Sequence, residues 1–180
     1  QTEVSAEQKV GYVRTLLGKA TQLREKLDLI AVVSQFVDES ALALVESYAD
    51  DPQLGDTATG LAKEMTKALA NRVTIGDEGT LAAKGARILG DGDIEYDLKE
   101  DAIVGWNQPY AGLRWAVRFS NPGRYAVTVV QGSNTSKNTY AFSVASQDLV
   151  AAVKDTGSET TFEAVDIGEI TVPNAGSFIV

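Results

Sequence analysis

The sequence predicts an α+β protein of two modules: N-terminal helical hairpins of about four helices over residues 4–72, and a C-terminal antiparallel β-sandwich over residues 78–180. Two observations lead to this prediction. Before residue 73 the apolar residues recur every three or four positions, which is the period of one helix face. After Arg72 short alternating or apolar runs appear instead, separated by Gly, Asn, Pro and Ser. Because no helical run lies between these strands, an antiparallel sandwich is favoured over a parallel sheet.

Apolar stripes and end signals predict each of the four helices. Ser5, with a glutamine three residues later, forms a capping box that opens the first helix. The second helix covers residues 21–36, and Asp38 caps the third, which stops before Pro52 because a residue preceding proline avoids the helical conformation. The fourth helix covers residues 56–71. The side chains predicted to face inward are, helix by helix, Val10, Val13, Leu16 and Leu17; Leu23, Leu27, Ile30, Val33 and either Phe36 or Val37; Ala41, Leu42, Leu44, Val45 and Tyr48; and Ala58, Leu61, Met65, Ala68 and Leu69.

Strands are predicted wherever a short apolar or alternating run lies between turn residues. The clearest one runs from Tyr125 to Val130 and follows Asn121-Pro122-Gly123, in which proline and glycine stand where a tight reversal requires them. The predicted strands cover residues 80–83, 86–89, 93–98, 102–104, 113–119, 124–131, 138–144, 149–153, 161–165, 167–172 and 177–180.

The composition excludes several classes of chemistry. The chain has 16 Lys and Arg against 25 Asp and Glu, a formal net charge of −9, and neither His nor Cys. It therefore has no Ser-His-Asp relay, no His-bound zinc, no thiolate nucleophile and no disulfide. Its cations are spread evenly, with 8 among residues 1–72 and 8 among residues 73–180. No basic patch for nucleic acid is therefore predicted.

The sequence contains no motif for catalysis, a cofactor or a membrane span. GxGxxG, phosphate-loop and HExxH sequences are missing, and no local pattern singles out two carboxylates as an acid–base pair. No stretch approaches the ~20 consecutive apolar residues that a membrane span requires. We therefore expect a protein that is not an enzyme and that has no nucleic-acid partner and no membrane insertion.

Turn and apolar residues of the second module follow an order that is known from one group of proteins. Trp115 lies in the first core strand, Pro122-Gly123 precedes a strand with Tyr125, and Thr156-Gly157 is followed by Phe162. The other matching positions are Val127, Val129, Ile167-Gly168, Ile170, Val172 and Ala175-Gly176. This order resembles the carbohydrate-binding modules appended to fucosidases and sulfatases, which are related to family 6 modules and are galactose-binding-like. The resemblance implies a jelly roll, a polysaccharide or glycan partner, and attachment to a larger enzyme or protein chain.

The first module has a resemblance of its own. The stretch ALALVESYADDPQLGDTATGLAKEMTKALA has the order helix, short acidic turn, second helix. It resembles HEAT-like helical repeats, and the likeness extends over roughly residues 8–71. Stacked hairpins of this kind commonly present a surface to other polypeptides.

Aromatic and amide side chains in the sequence VGWNQPYAG are the candidate ligand-binding residues. A sugar presents a flat C–H face that can stack on an aromatic ring, and Trp106 and Tyr110 offer such rings. Asn107 and Gln108 both donate and accept hydrogen bonds, as sugar hydroxyls require. The alternative for Trp106 is that it packs at the edge of the sandwich. Trp115 alternates with apolar residues and is predicted to be core.

Acidic residues alternate just before this loop. If the run is a strand, Asp91, Asp93, Glu95 and Asp97 share one face. Oxygen ligands at this density could hold calcium, so Asp91, Asp93 and Glu95 are the candidate metal ligands. The run does not match an EF-hand loop, because Tyr96 stands where that loop requires glycine. The alternative interpretation is an acidic face that contacts only solvent.

These observations lead to one expectation and one alternative. We expect a non-catalytic carbohydrate-binding module of an exported bacterial protein, periplasmic or extracellular, whose exposed aromatic stacks on a sugar. A chain that begins at Gln1 rather than Met fits a processed exported protein as well as a trimmed chain. The alternative is a protein-interaction or assembly module with no sugar binding. The first requires an exposed Trp106, and the second a buried one.

Overall fold

A computed structural model describes residues 6–180, so the helix start predicted at Ser5 lies outside the described residues. Four helices are followed by a strand-rich part, as predicted. In chain order the elements are helices α1 (Ala6–Lys19), α2 (Leu23–Val33), α3 (Glu39–Glu46) and α4 (Gly55–Ala70); strand β1 (Val73–Ile75); a 3₁₀ helix (Ala83–Gly85); and strands β2 (Arg87–Leu89), β3 (Glu95–Asp97), β4 (Ala102–Val104), β5 (Gly112–Arg114), β6 (Ala116–Phe119), β7 (Gly123–Ser133), β8 (Thr139–Val144), β9 (Gln147–Ala152), β10 (Ser158–Val172) and β11 (Gly176–Ile179). No helix of the described chain is both long enough and apolar enough to cross a membrane.

The described chain forms two compact units that interleave in sequence. The helical unit consists of residues 6–75, 116–120 and 175–179. The strand unit consists of residues 76–115 and 121–174, together with Val180. These units divide the chain differently from the predicted modules 4–72 and 78–180, because β6 pairs with β1 on one side and with β11 on the other.

Apolar side chains from all four helices form the core of the helical unit. The buried residues are Val10, Val13 and Leu17 of α1, Ile30 and Val33 of α2, Ala41, Leu44 and Val45 of α3, and Leu54, Ala58 and Met65 in and before α4. Leu16 was predicted to face inward, but half of it is exposed (50%). It directly precedes Leu17, and a helix turns by about 100° per residue, so only one of the two lies on the buried stripe. Leu23 is also exposed, since it is the first residue of α2.

A three-stranded sheet completes the helical unit. Its strand order is β1-β6-β11, with β6 in the centre. Strand β11 is antiparallel to β6, as expected of the whole strand-rich part, but β1 is parallel to it and was not predicted. Val117 and Phe119 of β6 are buried, and the rings of Phe119 and Phe178 meet edge to face with centroids 5.7 Å apart.

Two antiparallel ribbons contain most of the strand residues of the strand unit. Strands β7 and β10 form a long pair with a bulge between Asp166 and Gly168, and β8 and β9 form a hairpin. The Gln147 side chain joins the hairpin to β10 by accepting a hydrogen bond from the Thr171 N–H (2.9 Å) and donating one to the Thr171 carbonyl. An amide side chain here provides the donor and acceptor that a neighbouring strand would otherwise supply.

Three predictions about strands were wrong. Residues 80–83 form no strand, and the 3₁₀ helix Ala83–Gly85 lies at this point instead. The predicted strand 113–119 is interrupted at Trp115, whose backbone pairs with Val180. The predicted strands 161–165 and 167–172 are one strand, β10, because the bulge shifts its register without ending it.

A buried polar cluster in the helical unit joins the start of α3 to β11. Asp38 caps α3, as predicted, and its Oδ1 accepts hydrogen bonds from the Ser40 N–H (2.9 Å) and Oγ (2.6 Å). Its Oδ2 accepts a hydrogen bond from Ser177 Oγ (3.1 Å). A buried carboxylate costs much less free energy when its oxygens accept several hydrogen bonds. The Asp38 side chain thus connects two segments that are far apart in sequence.

Arg72 extends this cluster to Glu39. Its guanidinium donates to both carboxylate oxygens of Glu39, to Ser177 Oγ (3.2 Å) and to the Val37 carbonyl (3.4 Å). A second cation, Arg118, lies 3.8 Å from Glu39. The hydrogen bonds from Arg72 lower the pKa of Glu39 from its usual 4.5 to about 2, and the charges of the two arginines act in the same direction. The Arg72 side chain is only 11% exposed, so without the Glu39 carboxylate its charge would be buried and uncompensated.

The lowered pKa predicts that stability depends on pH through Glu39. A folded-state pKa below the unfolded value stabilises the fold above about pH 4.5, and this contribution is lost as the pH falls towards 2. We expect Glu39→Gln to lower the free energy of unfolding at pH 7 by about 1 kcal/mol, a modest value because the carboxylate is largely exposed. The difference from the wild type should shrink between pH 5 and about 2. Urea unfolding across this range measures it.

Glu64→Gln provides the control, because Glu64 is an exposed carboxylate in the middle of α4. It should change stability by less than about 0.5 kcal/mol at every pH. A Glu39→Gln effect that stays constant from pH 7 down to pH 2 would contradict the assignment of this contribution to the Glu39 carboxylate.

Candidate functional site

The candidate ligand-binding residues lie between two nested hairpins of the strand unit. The outer hairpin pairs β2 with β5, with Leu89 opposite Gly112. The inner hairpin pairs β3 with β4, with Glu95 opposite Val104. The segments that connect the two hairpins, residues 90–94 and residues 105–111, therefore start and end beside each other. We call the second segment the Trp106 loop.

The two connecting segments differ in length. Residues 90–94 are five residues, whereas residues 105–111 are seven, and both connect the same two hairpins. Two extra residues on one side cannot stay paired with the other side. The Trp106 loop therefore bulges outward, and residues 105–110 are all exposed.

Two glycines let the backbones of these segments come close together, and a third makes room for a side chain. A Cβ on Gly105 would overlap the carbonyl oxygen of Asp93, and one on Gly90 would lie 3.2 Å from the Ala111 Cα. A Cβ on Gly92 would lie 3.1 Å from the Gln108 side chain. Gly105 also has φ +69°, a conformation that side-chain-bearing residues seldom adopt. Glycine at position 105 is thus required both by space and by backbone conformation.

Two consecutive turns determine the shape of the Trp106 loop. The Asn107 N–H donates to the Gly105 carbonyl (2.8 Å), which makes Trp106 the central residue of a three-residue turn. The Ala111 N–H donates to the Gln108 carbonyl (3.2 Å), which closes a β-turn with proline at its second position. Tyr110 is the third residue of that turn and so lies at its tip.

The structure places both aromatic candidates at the surface. Trp106 is 49% exposed and Tyr110 is 92% exposed. Trp115, predicted to be core, is partly buried, and its indole Nε1 donates to the Ala82 carbonyl (3.0 Å). Of the two tryptophans, only Trp106 leaves a large part of its ring available to a ligand.

Polar side chains accompany the exposed rings. Asn107 Nδ2 donates to Asp93 Oδ2 at 3.4 Å, across the two connecting segments. Gln108, also exposed, lies against Gly92. The structure thus brings together Trp106, Asn107 and Asp93, which the sequence analysis assigned to two separate sites.

The acidic run does not have the arrangement predicted from its alternation. Only Glu95 and Asp97 lie in a strand, while residues 90–93 bend, with positive φ at Gly90 and Gly92. The four carboxylates therefore do not share one face, and Asp97 instead accepts hydrogen bonds from the turn N–H groups of Lys99 (2.7 Å) and Glu100 (3.1 Å). Within residues 6–180, no group of three or more acidic side chains is arranged to hold a metal ion. The assignment of calcium to Asp91, Asp93 and Glu95 stays a prediction.

The charges around the Trp106 loop are mainly negative. Residues 87–114 contain six acidic and three basic side chains, a net charge of −3. Lys99 already pairs with Glu100 at 2.8 Å, and Tyr96 donates its hydroxyl proton to Asp101 (2.6 Å). That hydrogen bond raises the pKa of Tyr96. A polyanionic ligand would be repelled here, whereas a neutral one would not.

One group of polar side chains in the strand unit was not predicted from the sequence. Asp77 lies against the turn before β7, where Asn121 and Arg124 are also exposed. The turn was recognised from its proline and glycine, but no local pattern links it to Asp77, which is 44 residues away from Asn121. Only the fold brings these residues together.

Comparisons with protein-family models, with curated proteins and with solved structures found no match to this chain.

The close contact between Gly105 and the Asp93 backbone leads to a prediction about stability. We expect Gly105→Ala to destabilise the nested hairpins by about 2 kcal/mol or more, because the new methyl group overlaps the Asp93 backbone and φ is positive. Gly60→Ala in α4 is the control: its Cβ meets no atom, and alanine favours the helix by about 0.5–1 kcal/mol. Urea unfolding measures both variants. A Gly105→Ala protein as stable as the wild type would contradict the described path of the loop.

Proposed function

We propose that this chain is a non-catalytic carbohydrate-binding protein whose Trp106 loop contacts the glycan. The observation that carries the proposal is the half-exposed ring of Trp106 beside the hydrogen-bonded pair of Asn107 and Asp93. Tryptophan is highly buried on average, so a half-exposed indole beside polar side chains leaves a ring face on which a ligand can stack. Its position at the surface favours the ligand-binding alternative over the packing alternative.

The chemistry of the loop suits a sugar ring. The indole of Trp106 offers an apolar surface for the C–H face of a pyranose, and Tyr110 offers a second ring in the next turn of the loop. Asn107, Gln108 and Asp93 supply donors and acceptors for the hydroxyl groups at the rim of that sugar. An open, solvent-exposed site with one or two stacking rings gives weak binding, which suits attachment to a long polysaccharide.

The negative charge around the loop restricts the glycan. With a net charge of −3 over residues 87–114, neutral polysaccharides are favoured over uronate-containing or sulfated ones. In this proposal the strand unit is a variant of the galactose-binding-like jelly roll, the protein is exported, and a larger enzyme or protein chain is the partner that the glycan contact positions.

A protein-interaction or assembly role is the second candidate. It is favoured by apolar side chains that are exposed on the two ribbons of the strand unit, namely Val130, Val150 and Phe162. Such residues can pack against a partner protein. The two candidates require different residues, so one experiment distinguishes them.

Affinity electrophoresis of the purified chain through gels with neutral or anionic polysaccharides tests the proposal. We expect a neutral polysaccharide to retard the wild type, Trp106→Ala to lose most of the retardation, and Tyr110→Ala to lose part of it. Loss of one well-placed stacking ring weakens binding by about 1 kcal/mol or more, that is, at least five-fold. Calcium should be added in a parallel gel because its role stays a prediction.

Tyr12→Ala provides the matched control for Trp106→Ala and Tyr110→Ala. Tyr12 is an exposed aromatic of α1 in the helical unit, so its removal changes surface apolarity without touching the loop. It should migrate like the wild type in every gel. Retardation that survives Trp106→Ala would rule out the loop as the site, and no retardation of folded protein in any gel would favour the protein-interaction candidate.

A further inference from the structure

A second polar site lies at the turn that precedes β7, in the strand unit. A surface depression of about 210 Å³ is lined by Asp77, Asn121, Pro122, Gly123, Arg124 and Tyr125. Typical pockets for drug-sized ligands have about 300–1,000 Å³, so this one suits a smaller molecule. No residue of the Trp106 loop lines it.

Hydrogen bonds hold the walls of this depression in place. Asn121 Nδ2 donates to Asp77 Oδ1 at 3.1 Å, which joins two segments distant in sequence. The Tyr125 hydroxyl donates to the Asn121 carbonyl at 2.7 Å and thereby closes the turn. Arg124 lies 3.4 Å from Glu169 on the neighbouring strand β10. The hydrogen-bonded side chains of Asp77, Asn121 and Tyr125 are therefore positioned before any ligand arrives, which lowers the entropic cost of binding, whereas the Arg124 side chain is 75% exposed.

The lining chemistry matches hydroxyl groups better than ions. Asp77 supplies a carboxylate acceptor, Asn121 an amide that both donates and accepts, and Arg124 a guanidinium donor. A sugar hydroxyl donates and accepts at once, so it can pair with any of the three, and the Pro122 ring offers an apolar edge. An anion is disfavoured, because Asp77 repels it and the charge of Arg124 already faces Glu169.

We propose that this depression is a second saccharide site that takes one neutral pyranose unit. This second site rests on the proposed function only in that its ligand is also a carbohydrate. It shares no residue with the Trp106 loop. Two separate weak sites on one chain would let the protein hold a polysaccharide more tightly than either site alone, because the second contact forms at a raised effective concentration.

Amide spectra of the full ¹⁵N-labelled chain, titrated with neutral monosaccharides (glucose, galactose, mannose, N-acetylglucosamine), test this site. We expect at least one sugar to shift the amide signals of Asp77 and residues 123–125. In Asp77→Ala the affinity for that sugar should fall at least about ten-fold, because a charge-assisted hydrogen bond is lost. Glu78→Ala is the matched control, since Glu78 is the exposed adjacent acid and does not line the depression.

The outcomes separate this site from the Trp106 loop. Shifts at Asp77 and residues 123–125 that persist in Trp106→Ala and vanish in Asp77→Ala would support it, even if residues 105–111 do not respond. Shifts confined to residues 105–111, or no shift with any of the four sugars, would overturn it. The proposal would also be overturned if Asp77→Ala and Glu78→Ala weakened sugar binding equally. The same holds if galacturonic acid and galactose bound with equal affinity.

Discussion

The close backbone contact between Gly105 and Asp93 is the constraint on which the candidate site depends. Two nested hairpins bring the segments 90–94 and 105–111 side by side, and glycine is the one residue type that leaves room for the Asp93 carbonyl. Since the second segment is two residues longer, its middle bulges away from the paired backbone of the first segment. Trp106 and the residues after it are therefore exposed to solvent. The site is therefore a result of unequal strand connections rather than of a cleft. This explains why it offers ring faces and a polar rim to one side of a ligand instead of enclosing it.

The helical unit shows a different way of holding distant segments together. Its sheet takes strands from three parts of the chain, and β6 pairs with both of the others. Asp38, Ser177 and Arg72 add a polar connection at the end of α3, with a buried carboxylate that accepts three hydrogen bonds. Such a cluster contributes modest net stability but penalises arrangements in which one partner is missing, so it favours one pairing of these segments. In the strand unit the ribbons are joined by backbone pairing and by side chains that bind a neighbouring backbone: Gln147 binds Thr171, and Thr156 binds Ser133.

Local patterns predicted a good part of this structure. Helix periodicity and the Asp38 cap located the helices, and turn residues located most strands, because these signals depend on neighbours in sequence. The parallel strand β1 was missed, since three residues directly after a helix give no alternation to detect. The alternation of acidic residues also led to a wrong strand prediction at Asp91 and Asp93. Two glycines with positive φ bend the chain there, so it is not a strand. For the site, the exposed aromatics were predicted, but the contact of Asn107 with Asp93 and the depression at Asp77 depend on tertiary pairing that no local pattern contains.

Tryptophan fluorescence of a Trp115→Phe variant tests the central claim most directly, because the emission then comes from Trp106 alone. Phenylalanine keeps an aromatic ring at the partly buried position 115, but it is smaller and cannot donate the hydrogen bond to Ala82. On titration with a neutral polysaccharide that retards the protein, we expect a saturable blue shift of the emission, since the sugar replaces water at the exposed indole. The reciprocal Trp106→Phe variant, which reports on Trp115, should show no shift. A shift in the reciprocal variant only, or unchanged Trp106 emission while the polysaccharide is bound, would contradict the account.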